Sequence, residues 1–117
     1  MNTQRKQALT RDRILGNLEW LAEAEHEPPH MGIYTWTACW EDWVPAHPSA
    51  ETLPAPTYTP DEVAAIAQVS EAVDTFWDAF DGEDEEGVKL PEWAALVSAC
   101  RAALKIMMAR GRLTEAG

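Results

Sequence analysis

The sequence predicts an all-α protein: a small irregular bundle of three longer helices, one short tryptophan-rich helix and a proline-rich connection. Three observations carry this. Apolar residues recur at the i, i+3, i+4 spacing of a helical face in three separate segments. A complete helix-start signal stands at Thr59–Glu62. The 117 residues leave room for one domain, 1–117, around one modest core.

In the first helix, expected over Leu9 to Glu25, the residues Ile14, Leu15, Leu18, Leu21 and Ala22 share a face, and Glu27-Pro28-Pro29 ends it. The segment 27–58 is a Trp/Pro-rich connection. Its first half carries Trp36, Trp40 and Trp43 at helical spacing, although Ile33 to Thr37 contains strand formers, and a short helix is the preferred reading. Its second half, Val44 to Pro56, holds four prolines and is expected to be extended on the surface. The next helix opens at Thr59-Pro60-Asp61-Glu62, with threonine as N-cap, proline at the first helical position and glutamate three residues after the cap. Val63, Ile66, Val73, Trp77 and Phe80 carry its stripe to an acidic loop. The last helix begins near Pro91-Glu92, carries Trp93, Leu96, Val97, Cys100, Leu104, Met107 and Met108 on one face, and stops at Gly111. Trp20, Trp77 and Trp93 lie on or beside these stripes and are expected in the core.

The net charge is −11, and its distribution is uneven. Positions 14–100 contain 18 of the 20 carboxylates and a single basic residue, Lys89, a formal −17. The two ends, with Arg5, Lys6, Arg11 and Arg13 on one side and Arg101, Lys105, Arg110 and Arg112 on the other, sum to +6 despite Asp12 and Glu115. Antiparallel packing of the first and last helices would gather the positive residues at one pole. The acidic middle argues against direct binding to nucleic acid or to an anionic membrane. No secretory pattern or spanning-length apolar run stands out, and Cys39 and Cys100 form no Cys-x-x-Cys motif, so the cytoplasm with reduced thiols is the expectation.

The most chemically specific stretch is Val73 to Val97. Phe80 precedes a run of acids, Val88 is a β-branched residue within it, and Glu92 closes it; Val73 and Trp77 lie before, Trp93 and Leu96 after. In these positions the stretch resembles an EF-hand, a helix, twelve-residue calcium loop and helix. The resemblance implies Asp81, Glu83, Glu85, the Gly87 carbonyl and Glu92 as calcium ligands, calcium being a hard cation that takes oxygen donors. The sequence departs from the family at loop position six, where Glu86 replaces the glycine of the sharp turn.

His26 and His30 are spaced i, i+4, but Pro28 and Pro29 between them break the helix that would align them on zinc. Ser49, Ser70 and Ser98 have no nucleophile-elbow or phosphate-loop context, so no enzymatic activity is expected. The function expected is that of an acidic protein-binding protein, an inhibitor or accessory factor. Immunity proteins and phage or plasmid anti-defence proteins, such as anti-CRISPR or anti-restriction proteins, have this composition. Such a protein would occlude a basic surface of its partner, a nuclease or nucleoprotein complex being the type. The candidate contact residues are Trp36, Trp40, Trp43, Glu41 and Asp42, together with Asp81, Glu83, Asp84, Glu85 and Glu86, with core packing the equal alternative for the three tryptophans. Monomer and homodimer are both compatible. A calcium-binding EF-hand-like module is the alternative.

Overall fold

Among the described residues five helices follow one another as α1 (Thr3–Ala22), α2 (Ile33–Trp43), α3 (Pro60–Ala79), α4 (Asp84–Gly87) and α5 (Pro91–Met108). The computed structural model describes residues 3–24, 26–55 and 57–111, and no strand occurs among them. Glu25, Pro56, Arg112 and Glu115, which figured in the expected first helix, the connection and the charged end, lie outside the described residues, as does the side chain of Arg5.

Local signals account for most helix ends. Thr59 Oγ1 accepts the Glu62 N–H at 3.2 Å and the Glu62 carboxylate accepts the Thr59 N–H at 2.9 Å, closing the capping box ahead of Pro60. α5 starts at Pro91, and beyond its last turn Gly111 takes φ 74° and donates its N–H to the Met107 carbonyl at 3.1 Å. α1 starts six residues before Leu9, because its first turns are polar and carry no apolar period from which to read them; it stops at Ala22.

α5 packs on both α1 and α3, and α2 packs on α1. α1 and α5 run antiparallel: Arg11 bonds to carbonyls at the end of α5, while Arg101 Nε reaches back to the Ala22 carbonyl at 2.9 Å and caps the C-terminus of α1. The buried side chains form one contiguous cluster in which Ile14, Leu18, Ile66, Phe76, Trp93 and Cys100 are inaccessible. Burial holds the Cys100 thiol well above its ordinary pKa.

One open alternative is decided and two expectations are corrected. α2 is a core helix: Ile33, Trp36, Thr37 and Trp40 are buried, Trp36 and Trp40 stack with centroids 5.8 Å apart, and their indole N–H groups donate to the Asn17 carbonyl and to Ser70 Oγ. The proline-rich stretch after it is a series of turns; Ser49 accepts the Glu51 N–H, and Leu53 and Tyr58 are buried in the core. Trp20 is 43% exposed, edge-on to His30, because it projects from the side of α1 opposite Leu18.

Arg11 is the unexpected core residue. Its guanidinium is inaccessible and forms a bidentate pair with Glu62, both N···O distances being 2.9 Å, while its remaining donors meet the Thr57, Met107 and Gly111 carbonyls. Arg110 also donates to Glu62, from Nη2 at 2.7 Å and from Nε at 3.3 Å. The basic ends do meet, but two of their arginines share a buried carboxylate that offsets one of the two positive charges there.

Candidate functional site

α2 presents different residues to different sides. Successive residues turn by about 100°, so Tyr34, Ala38 and Glu41 form one exposed edge, and Trp43 lies on roughly the opposite one. The structure agrees: Trp43 lines a hollow with Lys6, Thr10, Pro45 and Tyr58, its ring 5.9 Å from the Arg13 guanidinium carbon. The three expected docking tryptophans are therefore separated. Trp36 and Trp40, 1% and 2% exposed, are taken out of any contact surface by core packing, and Trp43 faces α1.

The edge bearing Tyr34 and Glu41 faces α3 across a groove. A hollow of about 300 Å³ is lined by Tyr34, Thr37, Ala38, Glu41, Asp74 and Trp77, with Val73 at its base. A second, of about 350 Å³, shares Glu41, Val73 and Asp74 and continues along the helix seam to Val44, Pro45 and Ala46. The Trp77 indole N–H is already used, donating to Thr37 Oγ1 at 2.9 Å, so the ring meets the groove as an aromatic surface. Tyr34 lies edge-on to it, centroids 6.3 Å apart, and is 76% exposed. Glu41 and Asp74 have no hydrogen-bond or ion-pair partner among the described residues.

The acidic turn adjoins this groove through the start of α2. Asp84 Oδ2 accepts the Ile33 N–H at 3.2 Å, supplying from 51 residues away the side-chain cap that the N-cap residue, Gly32 at φ 87°, lacks. Gly87 packs beneath it, where a Cβ would lie 2.6 Å from Phe80 Cε1 and 3.2 Å from Ile33 Cδ1. α2 thus links the two expected acidic patches, with Asp84 at its first turn and Glu41 and Asp42 in its last.

The five expected calcium ligands are dispersed. The chain reverses at Gly82, φ 103°, not at Glu86, which lies within the single turn of α4 and pairs with Lys89 at 3.3 Å. Asp81 accepts the Glu83 N–H, the Gly87 carbonyl accepts the Leu90 N–H, and Glu92 lines a separate hollow with Gln68, Glu71 and Thr75. Among the described residues no three His, Cys, Asp or Glu side chains are grouped as metal ligands would be.

Sequence reasoning missed Asp74 and Trp77 as partners of Glu41. The i, i+3/i+4, i+7 spacing of Tyr34, Ala38 and Glu41 was available as a signal, whereas the opposite wall depends on how α3 packs. No described helix is long and apolar enough to cross a membrane. Comparison with known proteins finds no family model, curated protein or solved structure that matches the chain.

Proposed function

We propose that the protein binds a basic surface of another protein and acts there as an inhibitor or accessory factor, in the manner of immunity or phage and plasmid anti-defence proteins. The observation that carries this reading is the groove between α2 and α3, where Glu41 and Asp74 stand without hydrogen-bond or ion-pair partners among the described residues, beside the Tyr34 and Trp77 rings. Asp42 on α2 and Glu83, Glu85 and Glu86 in the acidic turn are exposed and extend the negative field. Charge of one sign over such a face steers a basic partner and raises its association rate, while aromatic surface slows its release. A nuclease or nucleoprotein complex has the positive surface such a face would cover. No step of catalysis is required of the chain.

The test is recovery of the partner from the native host with wild-type protein and with an E41K/D42K/E83K/E85K variant. All four side chains are exposed, so the fold should survive the substitutions. The purified pair is then assayed for salt dependence and for inhibition of the partner's activity. The expected result is tight binding that weakens steeply with salt and is lost in the variant. A partner whose contact surface is not basic, or an affinity indifferent to salt, would overturn the reading.

A further inference from the structure

The geometry points to the groove between α2 and α3 as a seat for an arginine side chain carried on an extended segment of the partner. This deepens the docking reading and rests on it. Two carboxylates without partners among the described residues, Glu41 and Asp74, and two aromatic rings, Tyr34 and Trp77, line one hollow of about 300 Å³ with the apolar side chains of Ala38 and, buried at its base, Val73. An anion there would meet two like charges. A neutral apolar group would strip water from the carboxylates without replacing their hydrogen bonds. A cation meets neither penalty, and aromatic faces attract it further.

Arginine fits better than lysine for two reasons. Its planar guanidinium can stack on a ring while its edge donates to carboxylates, and it is more weakly hydrated than an ammonium group, so less is lost on leaving water. The Tyr34 ring, 76% exposed and edge-on to Trp77, offers an open face to the guanidinium. The second hollow shares Glu41 and Asp74 and runs on past Val44 to Ala46, so the seam has room for the residues flanking the arginine. The Trp40–Ser70 bond within that seam holds α2 against α3 and keeps both walls in place.

The probe is a capped pentapeptide with arginine at its second and fourth positions and glycine elsewhere, titrated into isotope-labelled protein and followed by two-dimensional NMR; a lysine counterpart is the control. The expected result is saturable shifts centred on the amides of Tyr34, Glu41 and Asp74 and on the Trp77 indole N–H. The lysine peptide should bind roughly threefold more weakly, and an E41Q/D74N variant should bind the arginine peptide roughly tenfold more weakly. An E51Q/E71Q variant, at two exposed carboxylates outside the groove and the acidic turn, should stay within about twofold of wild type, since only nonspecific attraction is lost. Equal loss in the two variants, or shifts centred on Asp81–Glu86, would overturn the groove assignment while leaving a basic partner in place. Absence of saturable shifts at millimolar arginine peptide would also overturn it, and salt-dependent binding of the recovered partner then decides the wider reading separately.

Discussion

Arg11 and Glu62 form a bidentate ion pair across 51 positions of sequence, with side chains 0% and 1% exposed. Glu62 is at once the third residue of the α3 capping box, the partner of Arg11 and the anchor of Arg110. Through it α1, the start of α3 and the end of α5 converge. Breaking a buried pair by removing one partner leaves the other charge stranded, at a cost of about 3–5 kcal/mol. Glu62→Ala is expected to lower stability by that amount in urea unfolding. A double variant, Arg11→Met with Glu62→Met, should lose less than the sum of its single variants, because no fully buried charge is left without its counterpart and the partly exposed Arg110 keeps its bond to the Thr57 carbonyl.

The same carboxyl sets an acid limit. Burial alone would raise the Glu62 pKa; hydrogen bonds from Arg11, then Arg110, then the Thr59 N–H outweigh burial and hold it at about 2, against an ordinary 4.5. A carboxyl depressed on folding stabilises the native state fully above its unfolded pKa, and the contribution disappears as pH falls through the folded value. At about 1.4 kcal/mol per tenfold change in proton affinity, roughly 3 kcal/mol is lost between about pH 5 and pH 2. Unfolding measured across that window should show the loss in wild type. Glu62→Gln should start lower at neutral pH and lose correspondingly less on acidification.

How far the fold could be read in advance follows from the range of each interaction. The Thr59 capping box, the Pro91 start and the Gly111 stop are made within a few residues and stand in the sequence. The Arg11–Glu62 pair is not local, yet Arg11 lies three and four residues before Ile14 and Leu15, on the buried stripe of α1, where a charge requires a partner. The spacing of Trp36, Trp40 and Trp43 suggested one face, but the buried stripe of α2 runs Ile33, Trp36, Thr37, Trp40 and on to Val44, which leaves Trp43 at its flank. Of the groove, the α2 wall was periodic and legible. The α3 wall was not, because packing between helices decides which residues face each other.

Asp84 makes the acidic turn a structural part of α2. Its carboxylate accepts the Ile33 N–H at 3.2 Å at a helix start with no side-chain cap of its own. Loss of such an acceptor costs about 1 kcal/mol. Asp84→Ala is expected to lower the unfolding free energy by that amount, whereas Asp84→Asn, which retains an oxygen acceptor, should recover most of it. Glu85→Ala, one residue on and exposed, serves as the control and should change stability by less than about 0.5 kcal/mol.

Gly87 is set by space. The nearest atoms to an added Cβ, Phe80 Cε1 at 2.6 Å and Cδ1 at 2.9 Å, belong to a ring stacked on Phe76 and touching Trp77, so the ring has little freedom to yield. Gly87→Ala is expected to cost about 1–3 kcal/mol through overpacking. Calcium should restore none of that loss, and thermal melts with and without millimolar calcium check both statements.

Tyr58 gives a mirror-image limit at alkaline pH. Its hydroxyl is buried and has no hydrogen-bond partner among the described residues, and its ring lies 5.9 Å from the Arg11 guanidinium carbon. Burial pushes its pKa up to about 12 from 10, with Arg11 opposing and Glu62 assisting. A group whose pKa rises on folding stabilises the native state fully below its unfolded pKa, and that stabilisation falls away as pH climbs through the folded value. Between about pH 10 and pH 12 wild type should therefore lose up to roughly 3 kcal/mol that Tyr58→Phe does not. Below pH 9 the substitution removes an unpaired buried hydroxyl and leaves the ring in place, so it should stabilise the protein by about 1 kcal/mol. Paired unfolding curves of the two proteins at pH 8 and pH 11 test both parts, since other groups that titrate in this range are common to both and cancel in the difference.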